Sequence, residues 1–280
     1  MKLRSLATAT LLALGVAASA RAGELPLWEA GLGAYALTLP DYRGSDQSRG
    51  YLYPLPYLRY RGKLLRMDDR HGLAALLLVE QRAVELDVSL NASQPAPSDQ
   101  NDARQGMADL QPTLEIGPVL RFNLWRNAAD TDVLSLQLPV RAAFAFDGLR
   151  PHDIGLVFNP VIDWFMRDAG PGGGWRLGLQ AGPLFNDRRY NAYYYQVDPQ
   201  FAAPGRPAYA ASGGYGGTQF TASLNKRFRS VWVSAFVRAY DLHGAVFEDS
   251  PLMKQNSALL AGIGFAYVFA ESKTRLEAKD

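Results

Sequence analysis

Residues 133–146 read VLSLQLPVRAAFAF, and this stretch decides the fold of the chain. Apolar side chains take every second position, and polar, small or proline residues lie between them. The first set is Leu134, Leu136, Leu138, Val140, Ala142, Phe144 and Phe146, and the second is Ser135, Gln137, Pro139, Arg141 and Ala143. A period of two puts successive side chains on opposite faces, which predicts a β-strand. The strand is longer than the usual ~5–6 residues and reaches the ~9–11 residues that cross a bilayer.

The same alternation recurs along the chain, as in VELDVSLN from Val84 to Asn91. It predicts about twelve strands, and an even count returns both chain ends to the same side. Ten strands is the alternative, because LLRMDDRHG (residues 64–72) is short and charged for a spanning strand. The expected strands are 28–39, 50–60, 63–69, 71–80, 82–90, 112–126, 132–146, 153–167, 173–185, 214–228, 231–241 and 257–269.

The connections between these strands alternate between short and long. Asn127 to Asp130, Ala169 to Gly172 and the turn at Ser230 are short, whereas 91–111, 186–214 and 242–256 are long. This is the arrangement of an outer-membrane barrel with short periplasmic turns and long extracellular loops. A soluble β-sandwich also alternates, but the apolar face here is continuous over five or six positions. The fold class predicted is therefore all-β, a transmembrane antiparallel β-barrel.

The two termini differ in character from the rest. A basic start, an apolar run from Leu6 to Ala18 and the small residues of Ala20-Arg21-Ala22 predict a secretory signal peptide at 1–22, cleaved after Ala22. Residues 23–270 are then the barrel, and the charged tail at 271–280 is expected to be disordered. The signal carries three of the 29 basic residues and no acidic ones, so the charge changes from +2 to −1. Such a balance gives no reason to expect nucleic acid as a partner.

Several charged residues fall on the face of the strands opposite the apolar one, where they would point into the lumen. Their mixed signs suit pairing across strands, since unpaired charges in a narrow lumen are costly. Two interpretations stay open, a plug that rigidifies the barrel and a path for solutes. The members of this charge belt are Glu85, Asp87, Glu115, Arg121, Arg141, Asp163, Arg176 and Arg238.

Two of the long connections are candidate functional loops. In LPDYRGSDQSR, from Leu39 to Arg49, proline should end the first strand and turn-forming residues follow it. We expect this loop on the cell surface or folded over the barrel mouth. The loop at 190–217 is rich in tyrosine, alanine and glycine without a regular period. It either enters the mouth, presents a surface to partners, or is flexible. The candidate motif in the first loop is Pro40, Asp41, Tyr42, Gly44, Ser45 and Asp46.

Catalytic and metal chemistry have no local signature in the sequence. The three histidines, His71, His152 and His243, are far apart, and none has a serine two positions later. No pair of them has the spacing of a metal site, and the chain has no cysteine for a thiolate site or a disulfide. We therefore expect a non-enzymatic protein without a cofactor.

Five stretches resemble the MipA/OmpV family of outer-membrane proteins, in the order that family shows. They are LPDYRGSD (39–46), YPLPYLRYRG (53–62), ELDVSLNAS (85–93), SDQNDARQGMADLQPTLEIGP (98–118) and GIGFAYVF (262–269). The last stretch also resembles the signal read by the barrel assembly machinery, with Gly264, Tyr267 and Phe269 at the expected steps. It departs from that signal because AESKTRLEAKD follows it.

The resemblance implies a location in the outer membrane, in contact with its lipid. It also implies a scaffold that links a lytic transglycosylase to a murein synthase, without catalytic activity of its own. Roles in adhesion or stress response are described for other members. The inward charges keep a narrow channel or transporter for small solutes as the alternative. Neither the residues nor the resemblance specifies a solute, a partner or an oligomeric state.

Overall fold

The computed structural model describes residues 24–62, 65–68, 72–76, 79–80, 83–170 and 173–277, so the expected signal peptide lies outside the described residues. Among these residues, no helix is long and apolar enough to cross a membrane. The one α-helix, α1, is Arg188–Tyr195. The strands are β1 (Glu24–Pro26), β2 (Trp28–Pro40), β3 (Ser48–Arg61), β4 (Leu65–Asp68), β5 (Gly72–Leu76), β6 (Val79–Glu80), β7 (Val84–Ser93), β8 (Thr113–Arg126), β9 (Asp132–Asp147), β10 (Arg150–Phe158), β11 (Val161–Ala169), β12 (Trp175–Asn186), β13 (Gly214–Phe228), β14 (Val231–Asp241), β15 (Ser257–Glu271) and β16 (Arg275–Glu277).

All strands except β1 and β16 form one antiparallel sheet, in the order β5-β4-β3-β2-β15-β14-β13-β12-β10-β9-β8-β7-β6, with β11 between β9 and β12. β10 and β11 count as one spanning strand, because both pair with β9 in a shared register. Phe158 lies opposite Val140, and Val161 lies opposite Gln137. The ladder is interrupted at Pro160, which has no N–H to donate. The strand predicted at 153–167 is thus confirmed as one strand in two pieces.

The sheet closes into a barrel. Its two ends are β5 and β6, which follow each other in the chain, and β5 also lies against β7. β5 and β6 together occupy the position expected for a strand at 71–80, and the described pairing favours twelve strand positions over ten. β4 has only four described residues, fewer than the seven expected at 63–69. The prediction of an antiparallel barrel is confirmed.

The alternation sets which face meets lipid. On β15, most residues at every second position are well exposed, and most of the residues between them are small and turned inward. Gly264, for example, leaves the space that the ring of Tyr35 fills, because a Cβ at Gly264 would collide with that ring. The outward residues of β15 form part of an apolar band that suits a bilayer. They are Leu259, Ala261, Ile263, Phe265, Tyr267 and Phe269.

The two ends of the barrel have different connections, and we name them the long-loop end and the short-turn end. The long-loop end carries residues 41–47, 94–112, 187–213 and 242–256. One connection at that end is short, a two-residue turn in which Gly148 has φ +61° and Leu149 is 97% exposed. The short-turn end includes Asn127–Thr131 and Arg229–Ser230.

The expectation of a disordered tail is wrong for the residues up to Glu277. β16 pairs antiparallel with β1, with Leu25 opposite Leu276, and forms a separate two-stranded sheet at the short-turn end. The sheet is tied to the barrel at Arg61, whose side chain donates to the backbone oxygen of Pro26 at 2.7 Å. We call this element the terminal sheet.

Candidate functional site

The first loop binds two other loops together at the long-loop end. The Tyr42 hydroxyl donates to the backbone oxygen of Leu252 at 2.7 Å, and the ring is buried. Asn101, in the loop 94–112, donates through Nδ2 to Asp41 at 2.8 Å and to Ser45 Oγ at 3.1 Å. Asp41 also accepts from Arg49 at 2.7 Å. These contacts give the candidate motif a structural role.

The remaining motif residues fit the same role. Pro40 ends β2, as predicted. Gly44 has φ +90°, and a Cβ there would collide with the sulfur of Met253. Its carbonyl oxygen accepts from the backbone N–H of Lys254 at 2.8 Å. Asp46 is exposed. The loop therefore folds over the mouth of the barrel, which was one of its two expected positions.

The tyrosine-rich loop also enters the mouth. Residues 188–195 form α1. Asp187 is its N-cap, because the Asp187 carboxylate accepts a hydrogen bond from the backbone N–H of Tyr190 at 2.8 Å. Tyr190, Tyr194 and Tyr195 are buried, and the ring of Tyr195 stacks on Phe247 at 3.7 Å. The expectation of no regular period was wrong here, since Tyr190 and Tyr194 are four residues apart and share a helix face.

Together the loops build a buried apolar cluster across the long-loop end, which we name the mouth core. Its members come from all four long loops and from the ends of the strands beside them. Burial raises the pKa of Tyr193, beside this cluster, to about 12, and it raises the pKa of Tyr195 further above its usual range. The larger side chains of the mouth core are Tyr42, Leu110, Ile154, Leu184, Tyr190, Tyr194, Tyr195, Val197, Tyr240, Leu242, Phe247 and Leu252.

A charged network joins the mouth core to the barrel wall. Arg43 donates to the hydroxyl of Tyr190 at 2.7 Å, and that hydroxyl donates to Glu115 Oε1 at 2.9 Å. Arg141 Nε donates to the other oxygen of Glu115, also at 2.9 Å. The Arg43 guanidinium lies 5.5 Å from the ring centroids of both Tyr190 and Tyr240. Burial alone would lower the pKa of Arg43, but the surrounding hydroxyls and the Glu115 carboxylate raise it, so Arg43 stays charged.

The charge belt divides between the two halves of the lumen. In the half nearer the short turns, Arg121 lies 3.2 Å from Glu85 and 3.4 Å from Asp87, and Arg126 lies 3.3 Å from Glu85. All but Arg126 are buried. These residues pair across adjacent strands, as the plug interpretation expects.

Two further belt residues lie on the lumen side of the wall. Asp163 is buried and accepts from Gln180 Nε2 at 2.9 Å, and Arg176 on β12 is half-buried. In the half nearer the long loops, Glu115 and Arg141 belong to the network above. Arg238 is half-buried, and its Nε donates to Thr221 Oγ1 at 3.1 Å.

A cavity of about 390 Å³ lies inside the barrel, beneath the mouth core. Its roof is formed by the aromatic side chains of the loops together with Arg43. Its walls combine polar and apolar side chains of the surrounding strands. Its polar wall residues include Glu115, Gln137, Arg141, Asn159, Gln180, Gln219 and Arg238.

The two histidines that the structure describes take no part in these arrangements. His152 is exposed on β10, and His71 lies outside the described residues. His243 is exposed and its Nδ1 lies 2.6 Å from Asp241, whose hydrogen bond raises the pKa of His243. Within the described ranges, no three His, Asp or Glu residues are grouped as a metal site would require.

The sequence reasoning missed Arg43, Tyr190 and Gln137 as residues of the lumen and mouth. Arg43 lies inside the quoted loop stretch but is not among the six residues of the candidate motif. Tyr190 could have been found from the N-cap at Asp187 and the four-residue tyrosine spacing. Gln137 is on the polar face of the opening stretch, yet a neutral side chain drew no attention beside the charges.

Comparison with protein families gives one match over most of the chain. The model described as MltA-interacting protein MipA covers residues 32–269. A search of curated proteins found no match.

Comparison with solved structures gives outer-membrane barrels of low sequence identity. The chain is similar to an outer-membrane channel from Pseudomonas putida F1, with 13% identity, 88% of this chain and 97% of that chain covered, and a TM-score of 0.37. It is also similar to the β-domain of the Bordetella autotransporter BrkA, with 11% identity, 87% and 100% covered, and a TM-score of 0.37.

Proposed function

This chain belongs to the MipA family, and from that membership we propose that it is a non-enzymatic outer-membrane scaffold for murein enzymes. In this proposal a lytic transglycosylase and a murein synthase dock at the periplasmic end of the barrel. The long-loop end faces outward and the short-turn end faces the periplasm, as in outer-membrane barrels generally. The family name, which states an interaction with MltA, supports the docking part of the proposal.

The observation that carries the proposal is the terminal sheet. Short turns alone offer little area to a partner, but the terminal sheet adds a folded element at the same end. Within the described residues, β16 pairs with β1 and with no other strand, so its outer edge keeps unpaired backbone groups. An extended segment of a partner can add to such an edge as a further strand. Lys273 and Thr274, which precede β16, and Arg275, its first residue, are exposed.

Site-specific photocrosslinking in whole cells tests the docking. A photoreactive residue at Lys273 is expected to capture a lytic transglycosylase or a murein synthase, identified by mass spectrometry. The matched control carries the same group at Leu149, the exposed tip of a turn at the opposite end, and should capture neither enzyme. A chain that ends at Lys273 should lose binding to the same enzyme while it still shows the gel shift of a folded barrel. Absence of any murein enzyme from the Lys273 crosslinks contradicts the proposal.

A channel for small solutes is the second candidate, and the polar cavity favours it. The mouth core argues against an open pore, because aromatic rings and the Arg43 network occupy the long-loop end. Planar-bilayer recordings distinguish the two functions. The scaffold proposal expects no stable conductance, and reproducible single-channel steps would favour the channel.

A further inference from the structure

We infer that the cavity beneath the mouth core is a binding site for a small oxyanion, a carboxylate or a phosphate group. The inference does not depend on the scaffold function. It rests on the charge of the cavity wall, on two unused donor groups and on the size of the space.

The cavity wall carries an excess of positive charge. Three guanidinium groups, those of Arg43, Arg141 and Arg238, line it, against the carboxylates of Glu115 and Asp41. Asp41 is already paired with Arg49 at 2.7 Å, outside the cavity wall. Glu115 therefore remains as the one carboxylate to balance three guanidinium groups of the wall.

Arg238 has donor groups to spare. Within the described part of the chain its guanidinium makes one hydrogen bond, from Nε to Thr221 Oγ1, and no ion pair. Arginine has five N–H donors in a planar fork that matches the two oxygens of a carboxylate or phosphate. Arg238 is half-buried and lines the cavity, so the rest of that fork has access to a bound group.

Gln137 supplies a second unused donor in the same cavity. Its side chain is 9% exposed, and its amide nitrogen has no hydrogen-bond partner among the described residues. A buried amide without a partner is costly and needs an explanation. Gln137 on β9 and Arg238 on β14 line this cavity from two parts of the wall that β11, β12 and β13 separate.

The neighbouring amides explain why the site would select a small polar ion over an apolar ligand. Gln180, Gln219 and Asn159 line the same space, and Gln180 and Asn159 direct their nitrogens to Asp163 and to the Pro183 backbone oxygen at 2.9 Å. Their oxygens are left to interact with water or with a protonated group of the solute. A volume of about 390 Å³ suits an anion with a few carbon atoms or a hydrated phosphate.

Titration calorimetry on the folded, full-length protein in detergent tests the inference, with inorganic phosphate and succinate as separate probes. Succinamide, which is uncharged, is the control ligand. Wild-type protein should bind at least one of the two anions and not succinamide. Binding of phosphate alone indicates a phosphate-bearing solute, and binding of succinate alone indicates a carboxylate.

Two substitutions locate the binding. Arg238→Gln should weaken it about tenfold or more, as expected for lost hydrogen bonds to a charged group. Gln137→Met keeps the volume and removes the donor, and should weaken binding by a smaller factor. Arg150→Gln, at an exposed position outside the cavity, should leave it unchanged. Failure of the wild type to bind either anion overturns the inference. The inference is also overturned if Arg238→Gln and Gln137→Met both bind the anion with the wild-type affinity.

Discussion

The hydroxyl of Tyr190 connects the mouth core to both signs of charge. It accepts from Arg43 at 2.7 Å and donates to Glu115 at 2.9 Å. Tyr190→Phe removes both hydrogen bonds and keeps the ring. Arg43 would retain the two aromatic faces beside it, and Glu115 would retain Arg141. The substitution should therefore loosen the mouth without unfolding the barrel.

The size of the effect follows from the charge of the two partners. A hydrogen bond to a charged group contributes about 1.5–3 kcal/mol. Because each partner keeps another contact, we expect a loss of about 2–4 kcal/mol in the free energy that keeps the mouth closed. At about 1.4 kcal/mol per factor of ten, the open fraction should rise roughly 30- to 700-fold.

Hydrogen–deuterium exchange of the backbone amides in α1 measures this opening. Protection of the Asn191 and Gln196 amides, which bond to Asp187 and Ala192 at 3.2 Å, should fall by that factor. Tyr209→Phe is the matched control, since its hydroxyl lies 3.2 Å from a neutral carbonyl oxygen of Val246. It should change protection by no more than about tenfold, as for a neutral hydrogen bond. Equal protection of α1 in Tyr190→Phe and wild type would refute this reasoning.

Three further substitutions test other parts of the structure. Gly44→Ala should lower the stability of the closed mouth by about 1–3 kcal/mol, because Gly44 has a φ of +90° and a Cβ there collides with Met253. The rate of limited proteolysis within 242–256 measures this loss. Gly106→Ala, at a φ of +79° in open space, is the control that separates backbone strain from the collision. Glu85→Gln should lower the free energy of unfolding in lipid vesicles by about 1.5–3 kcal/mol, because Arg121 loses one buried partner and keeps Asp87. Asp153→Asn, which changes an exposed ion pair with Arg189, should cost at most about 1 kcal/mol. Equal urea midpoints for the two variants would contradict the buried pairing. Asp241 raises the pKa of His243, so the His243–Asp241 ion pair is present at low pH and is lost as pH rises through the raised pKa. A nuclear magnetic resonance titration of His243 should give a midpoint above 6.5, and Asp241→Asn should lower that midpoint.

The barrel could be predicted from sequence because its rule is local. In a spanning strand, every outward position meets lipid and every inward position meets the lumen, so a two-residue period is written into each segment. This is why the boundaries of β8, β9, β13 and β14 lie within one residue of those expected. The rule weakened around β4, where charged and apolar residues are mixed.

The mouth could not be predicted in the same way, because its contacts join residues that are far apart in the chain. Tyr42 and Leu252, for instance, are separated by 210 positions. No periodic pattern encodes such a contact, and the residues involved also suit a solvated loop. The tail was misjudged for a related reason, since β16 acquires order only by pairing with β1 at the other end of the chain.

The two interpretations of the charge belt, plug and solute path, apply to different halves of the lumen. Near the short turns, Glu85 and Asp87 lie on one strand beside Arg121 and Arg126 on the next, so two negative and two positive charges balance at contact distance. Near the long loops, guanidinium groups outnumber carboxylates, and the cavity lies between these charged groups and the opposite wall of the barrel. A charge that has a partner within the protein gains little from a solute, whereas Arg238 gains a partner only from one. The same strands can therefore build a rigid, closed half and a half suited to an anion.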